Sequence, residues 1–133
     1  MVVGSASTAG NLEHAFRWEG SAAGGSMQDL ETLGGSTSTA LAVSADGSVV
    51  VGWAYTAGNL QHAFRWENDT MVDIDTLGGN SSSATHVSSD GSVVVGSWTT
   101  TGNVKRAFRW EDGSTADLGT LGGTRSTASA ISS

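Results

Sequence analysis

One phrase recurs three times, and its spacing limits what the chain can fold into. The glycine doublets Gly34-Gly35, Gly78-Gly79 and Gly122-Gly123 each close a "TLGG" and stand 44 residues apart. "HAFRW" (His14–Trp18 and His62–Trp66) returns as "RAFRW" (Arg106–Trp110), with Phe16, Phe64 and Phe108 spaced 48 and then 44 residues apart. The first copy therefore carries four extra residues between Glu19 and Met27, in a Gly/Ser/Ala stretch that reads as a longer hairpin loop. A fixed period of this size calls for a supersecondary unit that buries its apolar face against its own copies.

Each period contains four strand-like segments. In the middle copy they are Thr39–Ala45, Ser48–Thr56, Leu60–Glu67 and Met71–Leu77, alternating in hydrophobicity and bounded by Gly, Asn and Asp. Asp46-Gly47 is expected to turn as a type I′ hairpin, which needs two positive φ angles. No window keeps a helical period, so the fold class is all-β. Four antiparallel strands every 44 residues match a β-propeller blade. A parallel β-helix is the rival, with shorter coils and no need for recurrent Asp-Gly hairpins.

The chain is expected to form one repeat domain over residues 1–133, with blades at about 2–38, 39–82 and 83–126 and a closing strand at 127–133. Its start, "VVGSAS" (Val2–Ser7), matches the second strand of a blade. Its end, "TASAISS" (Thr127–Ser133), matches the first strand. Three blades are too few for a ring, since rings use about four to eight. The expected remedy is a homodimer in which strand exchange completes a six-bladed ring, because an open stack leaves apolar faces and an unpaired edge.

Composition narrows the function. Thirteen Asp and Glu against six Lys and Arg give a formal charge of −7, a field that repels nucleic acid. No long apolar run suggests membrane insertion, and no signal peptide is expected within these residues. The 19 glycines supply turns, while the absence of proline leaves every N–H free for sheet ladders. With zero cysteines, disulfides and thiolate metal sites are excluded.

Residues that recur in every copy suit architecture better than chemistry. Phe16, Phe64 and Phe108, with Trp18, Trp66 and Trp110, are expected to pack between blades, against small residues such as Ala63, Gly52 and Ala54; an aromatic ligand platform is the alternative. Arg17, Arg65 and Arg109 are expected to pair across strands with Asp29, Asp73 and Asp117, using the guanidinium fork, with an anion-binding ring of arginines as the alternative. His14 and His62 are equivalent, but Arg106 takes their place in the third copy and His86 stands elsewhere, which breaks any ligand ring. "DID" (Asp73–Asp75) lacks calcium-loop spacing. No metal, cofactor or catalytic constellation is assigned, and the chain is expected not to be an enzyme; a hydrolase using facing acids is the least favoured reading.

"HAFRW", "DLGTLGG" (Asp117–Gly123) and "SADGSVVVGW" (Ser44–Trp53) resemble the HAF repeat of bacterial proteins described as probable extracellular repeat proteins. The resemblance covers essentially the whole chain, with Arg106 a departure from the motif's histidine. It implies an extracellular or cell-surface location and no particular activity.

The expected function is a non-enzymatic repeat scaffold or binding module with itself as partner and an extracellular ligand, such as a glycan, as a candidate. Candidate ligand-binding residues are those that differ between copies: Trp53, Tyr55, Trp98, Lys105 and Arg106. The alternative is a purely structural assembly unit, a recently amplified or engineered propeller fragment without a ligand.

Overall fold

The computed structural model describes residues 1–132; Ser133, the last residue of the expected closing strand, lies outside them. The described chain is all-β. Sheet one contains β1 (Val2–Ser7), β2 (Glu13–Ser21) and β3 (Gly24–Asp29). Sheet two contains β4 (Gly34–Val43), β5 (Val49–Thr56), β6 (Gln61–Glu67) and β7 (Thr70–Asp73). Sheet three contains β8 (Ser81–Val87), β9 (Val93–Thr99), β10 (Lys105–Glu111) and β11 (Ser114–Asp117). Within each sheet the strands are antiparallel and neighbours in sequence are neighbours in space.

Strand limits differ from the sequence reading in two places. The first strand of sheet two begins at Gly34 rather than Thr39, because the chain is already extended beside Thr56 as it leaves the glycine doublet. The last strand stops at Asp73 instead of Leu77, since Asp73 turns its carboxylate onto the Asp75 N–H at 2.8 Å. That local bond competes with the sheet ladder. Thr127–Ser132 forms no strand.

The turns also sort themselves. Asp46-Gly47 is not type I′: only Gly47 has a positive φ, of 76°, and its N–H bonds the Ser44 carbonyl at 3.0 Å. The positive φ at Gly47 follows a tight turn over Ala45 and Asp46, and the Ser44 N–H closes the four-residue loop on the Val49 carbonyl at 2.9 Å. Asp46 itself anchors the bend, accepting from Ser44 Oγ, Ser48 Oγ and the Ser48 N–H. Two positive φ angles occur instead at Asn68-Asp69 and Asp112-Gly113, in the two-residue loops that join β6 to β7 and β10 to β11.

The sheets stack face to face. Between sheets one and two lie Ala15 and Leu30, packed with Ala40, Val50, Ala54, Phe64 and Trp66. Between sheets two and three the same positions recur: Ala63 and Ile74 meet Ala84, Val94 and Phe108. Each sheet thus has a rear face, bearing the repeated Phe and Trp, and a front face whose buried residues are smaller. Alternation along the strand makes this inevitable, since His62, Phe64 and Trp66 point one way and Ala63 and Arg65 the other. Ala63 receives the neighbouring aromatic row as expected. Gly52 and Ala54 do not: they pair across the strand with Phe64 and His62 on the rear face itself. A Cβ on Gly52 would lie 2.0 Å from the Thr39 carbonyl oxygen, so glycine is required where β4 closes on β5.

Candidate functional site: a polar latch and two open faces

At the start of β2, β6 and β10 a cationic or ring-nitrogen donor meets an aspartate. His14 Nδ1 lies 2.9 Å from Asp29, His62 Nδ1 2.6 Å from Asp73, and Arg106 Nη1 3.0 Å from Asp117. Register explains the pairing: Asp73 stands opposite Phe64, on the face that carries His62, while Arg65 stands opposite Val72. The expected Arg–Asp pairs are therefore corrected. Arg65 and Arg109 bind Glu67 and Glu111 on their own strands at 2.7 Å, and Arg17 lies 3.6 Å from Glu19. Asp117 is held below the usual carboxylate range, first by the Gly119 N–H and then by Arg106.

A second polar link joins successive sheets. Ser82 on β8 donates to Asp75 at 2.5 Å and accepts the Ala63 N–H from sheet two at 2.8 Å. Ser38 makes the same acceptance from Ala15 at 2.8 Å and donates to the Glu31 carbonyl. His62 Nε2 stands 3.9 Å from Asp75, so Ser, Asp and His come together here. They cannot act as a nucleophilic triad in this order, because the serine proton goes to the aspartate and the histidine lies on the far side of it. The trio is a latch between sheets.

Arginines stitch the same junctions. Arg17 lies over the Trp66 ring, 5.8 Å from its centroid, and Arg65 over Trp110 at 5.1 Å. Arg65 also donates to the Gly91 carbonyl at 2.9 Å. These contacts are cation–π interactions backed by hydrogen bonds. They occupy two of the three guanidinium groups that an anion-binding ring would need free.

The candidate ligand residues fall into two groups. Trp53 and Tyr55 form an edge-to-face pair, with centroids 5.8 Å apart, on the front of sheet two. Trp98 and Arg106 are cross-strand partners on the rear of sheet three, with Lys105 exposed beside them. Trp98 packs into the core between sheets two and three. The structure brings Trp98 together with Arg106 and Asp117, and keeps them apart from Trp53 and Tyr55.

The outermost faces carry what sequence reading named only in general terms. Leu30 and Ile74 are 2% exposed, but Leu118, their counterpart 44 residues on, is 52% exposed. Val50 and Val94 are fully buried, whereas Val2 is 53% exposed. Phe64 and Phe108 are buried while Phe16 is not, and Leu121 stands fully in solvent. A recess on the rear of sheet one is lined by Ala6, His14, Phe16, Met27 and Asp29. Another on the front of sheet three is lined by Ala107, Leu118, Leu121, Ser126 and Ala128.

No protein-family model and no curated protein matches the chain. Among solved structures, TolB from Acinetobacter baumannii matches 87% of it with a TM-score of 0.63 at 15% sequence identity, and the chain spans 29% of the length of that one. This is a likeness of fold.

Proposed function

We propose that the chain is a non-enzymatic repeat scaffold or binding module that assembles into a β-propeller. Its three sheets are blades, and three more from a second copy close a six-bladed ring. The C-terminal segment of each copy supplies the missing first strand of the other's sheet one. The observation that carries this reading is the difference in burial between equivalent positions. Leu118 and Val2 are exposed only where a neighbouring blade is lacking, and the same positions inside the stack are buried. The fold likeness to TolB, a protein that contains a β-propeller, supports the blade assignment.

Association has a clear driving force. Exposed apolar side chains such as Val2, Leu118 and Leu121 and an unpaired strand edge both favour pairing, and a two-fold axis is the commonest way to close it. Light scattering on the purified chain is expected to give twice the chain mass of 13.5 kDa. A species that stays at one chain mass across the micromolar range overturns the proposal.

Within this reading, Trp53, Tyr55, Trp98, Lys105 and Arg106 are the candidate contacts for an extracellular ligand such as a glycan, at the cell surface that the repeat resemblance implies. The half-buried Trp53–Tyr55 pair is the better stacking platform. Binding of a glycan array by assembled protein, abolished by Trp53→Ala, is the expected result. The purely structural reading is favoured by Trp98, whose ring is packed in the core, and by Arg106, whose charge is paired with Asp117. An array without hits decides for it.

A further inference from the structure

Among the described residues, sheet one lacks the strand that β4 and β8 supply to the other two, so one edge of β1 has no partner there. Residues 126–132 pair into no sheet, although Ser126, whose N–H bonds the Lys105 carbonyl at 3.1 Å, is seated as a first strand's serine would be. Ser126 Oγ accepts the Ala107 N–H at 3.0 Å, the role that Ser82 and Ser38 play one and two repeats earlier. Ile131 and Ser132 line a recess with Ser88, Asp90 and Arg109 on sheet three. The segment is thus seated against the sheet before it, with no sheet of its own.

Gly4 gives the second observation. A Cβ on its counterparts Gly52 and Gly96 would lie 2.0 Å from the carbonyl oxygens of Thr39 and Ser83 on the adjoining first strand. At Gly4 the nearest atoms are those of the Phe16 ring, at 3.1 Å and beyond. The position keeps the glycine that a close-lying strand demands while that strand is absent from the chain's own fold.

Resting on the ring proposed above, we infer that residues 126–132 of a second copy add to β1 in one register: Ser126 opposite Ala6, Thr127 opposite Ser5, Ala128 opposite Gly4 and Ile131 opposite Val2. The repeat sets these pairs. Ser38, Ala40 and Val43 stand opposite Ala54, Gly52 and Val50, and Ser82, Ala84 and Val87 opposite Trp98, Gly96 and Val94. The bulge that follows Ala40 and Ala84 falls at Ser129, so the register changes where the other two sheets change theirs. Slippage by one residue would turn Ile131 from the apolar junction to the opposite face.

This register also brings the chain end of one copy to the chain start of the other. By the repeat, Ser132 takes the place of Ser44 and Ser88, and Met1 that of Val49 and Val93. In sheets two and three those places are joined by hairpins that end Asp46-Gly47-Ser48 and Asp90-Gly91-Ser92. The seam of the ring is therefore an interrupted hairpin, and Arg109 of one copy comes over Trp18 of the other, as Arg65 lies over Trp110.

The chain contains no cysteine, so introduced pairs report one contact each. In the doubly substituted Ser5→Cys/Thr127→Cys protein, mild oxidation is expected to give a covalent dimer on a non-reducing gel. The control Ser7→Cys/Thr127→Cys is expected to remain at one chain mass. A non-covalent dimer that cross-links through the control pair instead overturns the register but leaves the ring standing; a protein that is monomeric by scattering overturns the ring. As a second measurement, two copies are fused through Asp-Gly-Ser placed between Ser133 and Met1. The fused chain is expected to remain a single closed particle of dimer mass, with a melting temperature that does not depend on concentration. Further association of the fused chain overturns the proposed seam.

Discussion

Leu118 offers the sharpest test of the open faces. Its counterparts Leu30 and Ile74 are 2% exposed inside the stack, and Leu118 itself is 52% exposed. Full burial of a leucine is worth about 2 kcal/mol, so roughly half, about 1 kcal/mol, is still to be gained at each seam. The proposed two-fold ring has two seams, which makes about 2 kcal/mol per dimer. At 1.4 kcal/mol per tenfold, Leu118→Ala is expected to raise the dimer dissociation constant by about 10–30-fold. Ile74→Ala is the matched control: it empties an intrachain junction and is expected to lower stability by about 2–5 kcal/mol. The two variants separate by concentration dependence. Sedimentation equilibrium and thermal melts over a hundredfold range of protein should show Leu118→Ala shifting the monomer–dimer balance. The apparent melting temperature of that variant should climb with concentration, as linkage requires. If Leu118→Ala dimerises as tightly as the parent protein, the front of sheet three is not the face that closes the assembly.

Three further outcomes follow from the junctions and turns. Asp46 and Asp90 have pKa values lowered from 3.8 to about 2, chiefly by the N–H groups of Ser48 and Ser92. A carboxylate lowered on folding contributes stability that is complete above its unfolded value and lost as pH falls through its folded one. The doubly substituted Asp46→Asn/Asp90→Asn protein is thus expected to show a flatter loss of stability between pH 4 and about pH 2 in urea melts; an unchanged acid limb counts against these turns as its source. Gly52→Ala forces a Cβ within 2.0 Å of a backbone oxygen and is expected to destabilise by about 1–3 kcal/mol or more, whereas Gly58→Ala, whose nearest neighbour is a threonine hydroxyl at 3.7 Å, is expected to be near neutral. Equal denaturation midpoints for the two would remove the close approach of β4 to β5 as the reason for glycine. Ser82→Ala strands the buried Ala63 N–H and is expected to lose about 1–3 kcal/mol of stability, read from chemical denaturation.

The period of 44 residues carried most of the fold, because a repeated phrase must make repeated contacts, and alternation alone divided Phe64 and Trp66 from Ala63 and Arg65. What alternation does not supply is register between strands. Asp73 sits opposite Phe64 and not Arg65, and that single step moved the aspartates from the arginine face to the histidine face. A signal was present all the same. His14, His62 and Arg106 differ as metal ligands, which broke the ligand ring, yet all three can donate a hydrogen bond, and each meets an aspartate. Donor character was the repeated property, not residue type. The same lesson applies to Trp98: it reads as a copy-specific candidate for ligand contact, but its counterpart at Ala54 lies on the packed rear face, so the added ring fills space beside Phe108 and Trp110. Differences between copies mark function only where the shared position is not already part of the stack. By that criterion Trp53 and Tyr55 remain the places to look for a ligand, and Phe16, Val2, Leu118 and Leu121, where identical roles meet unequal burial, the places to look for a partner.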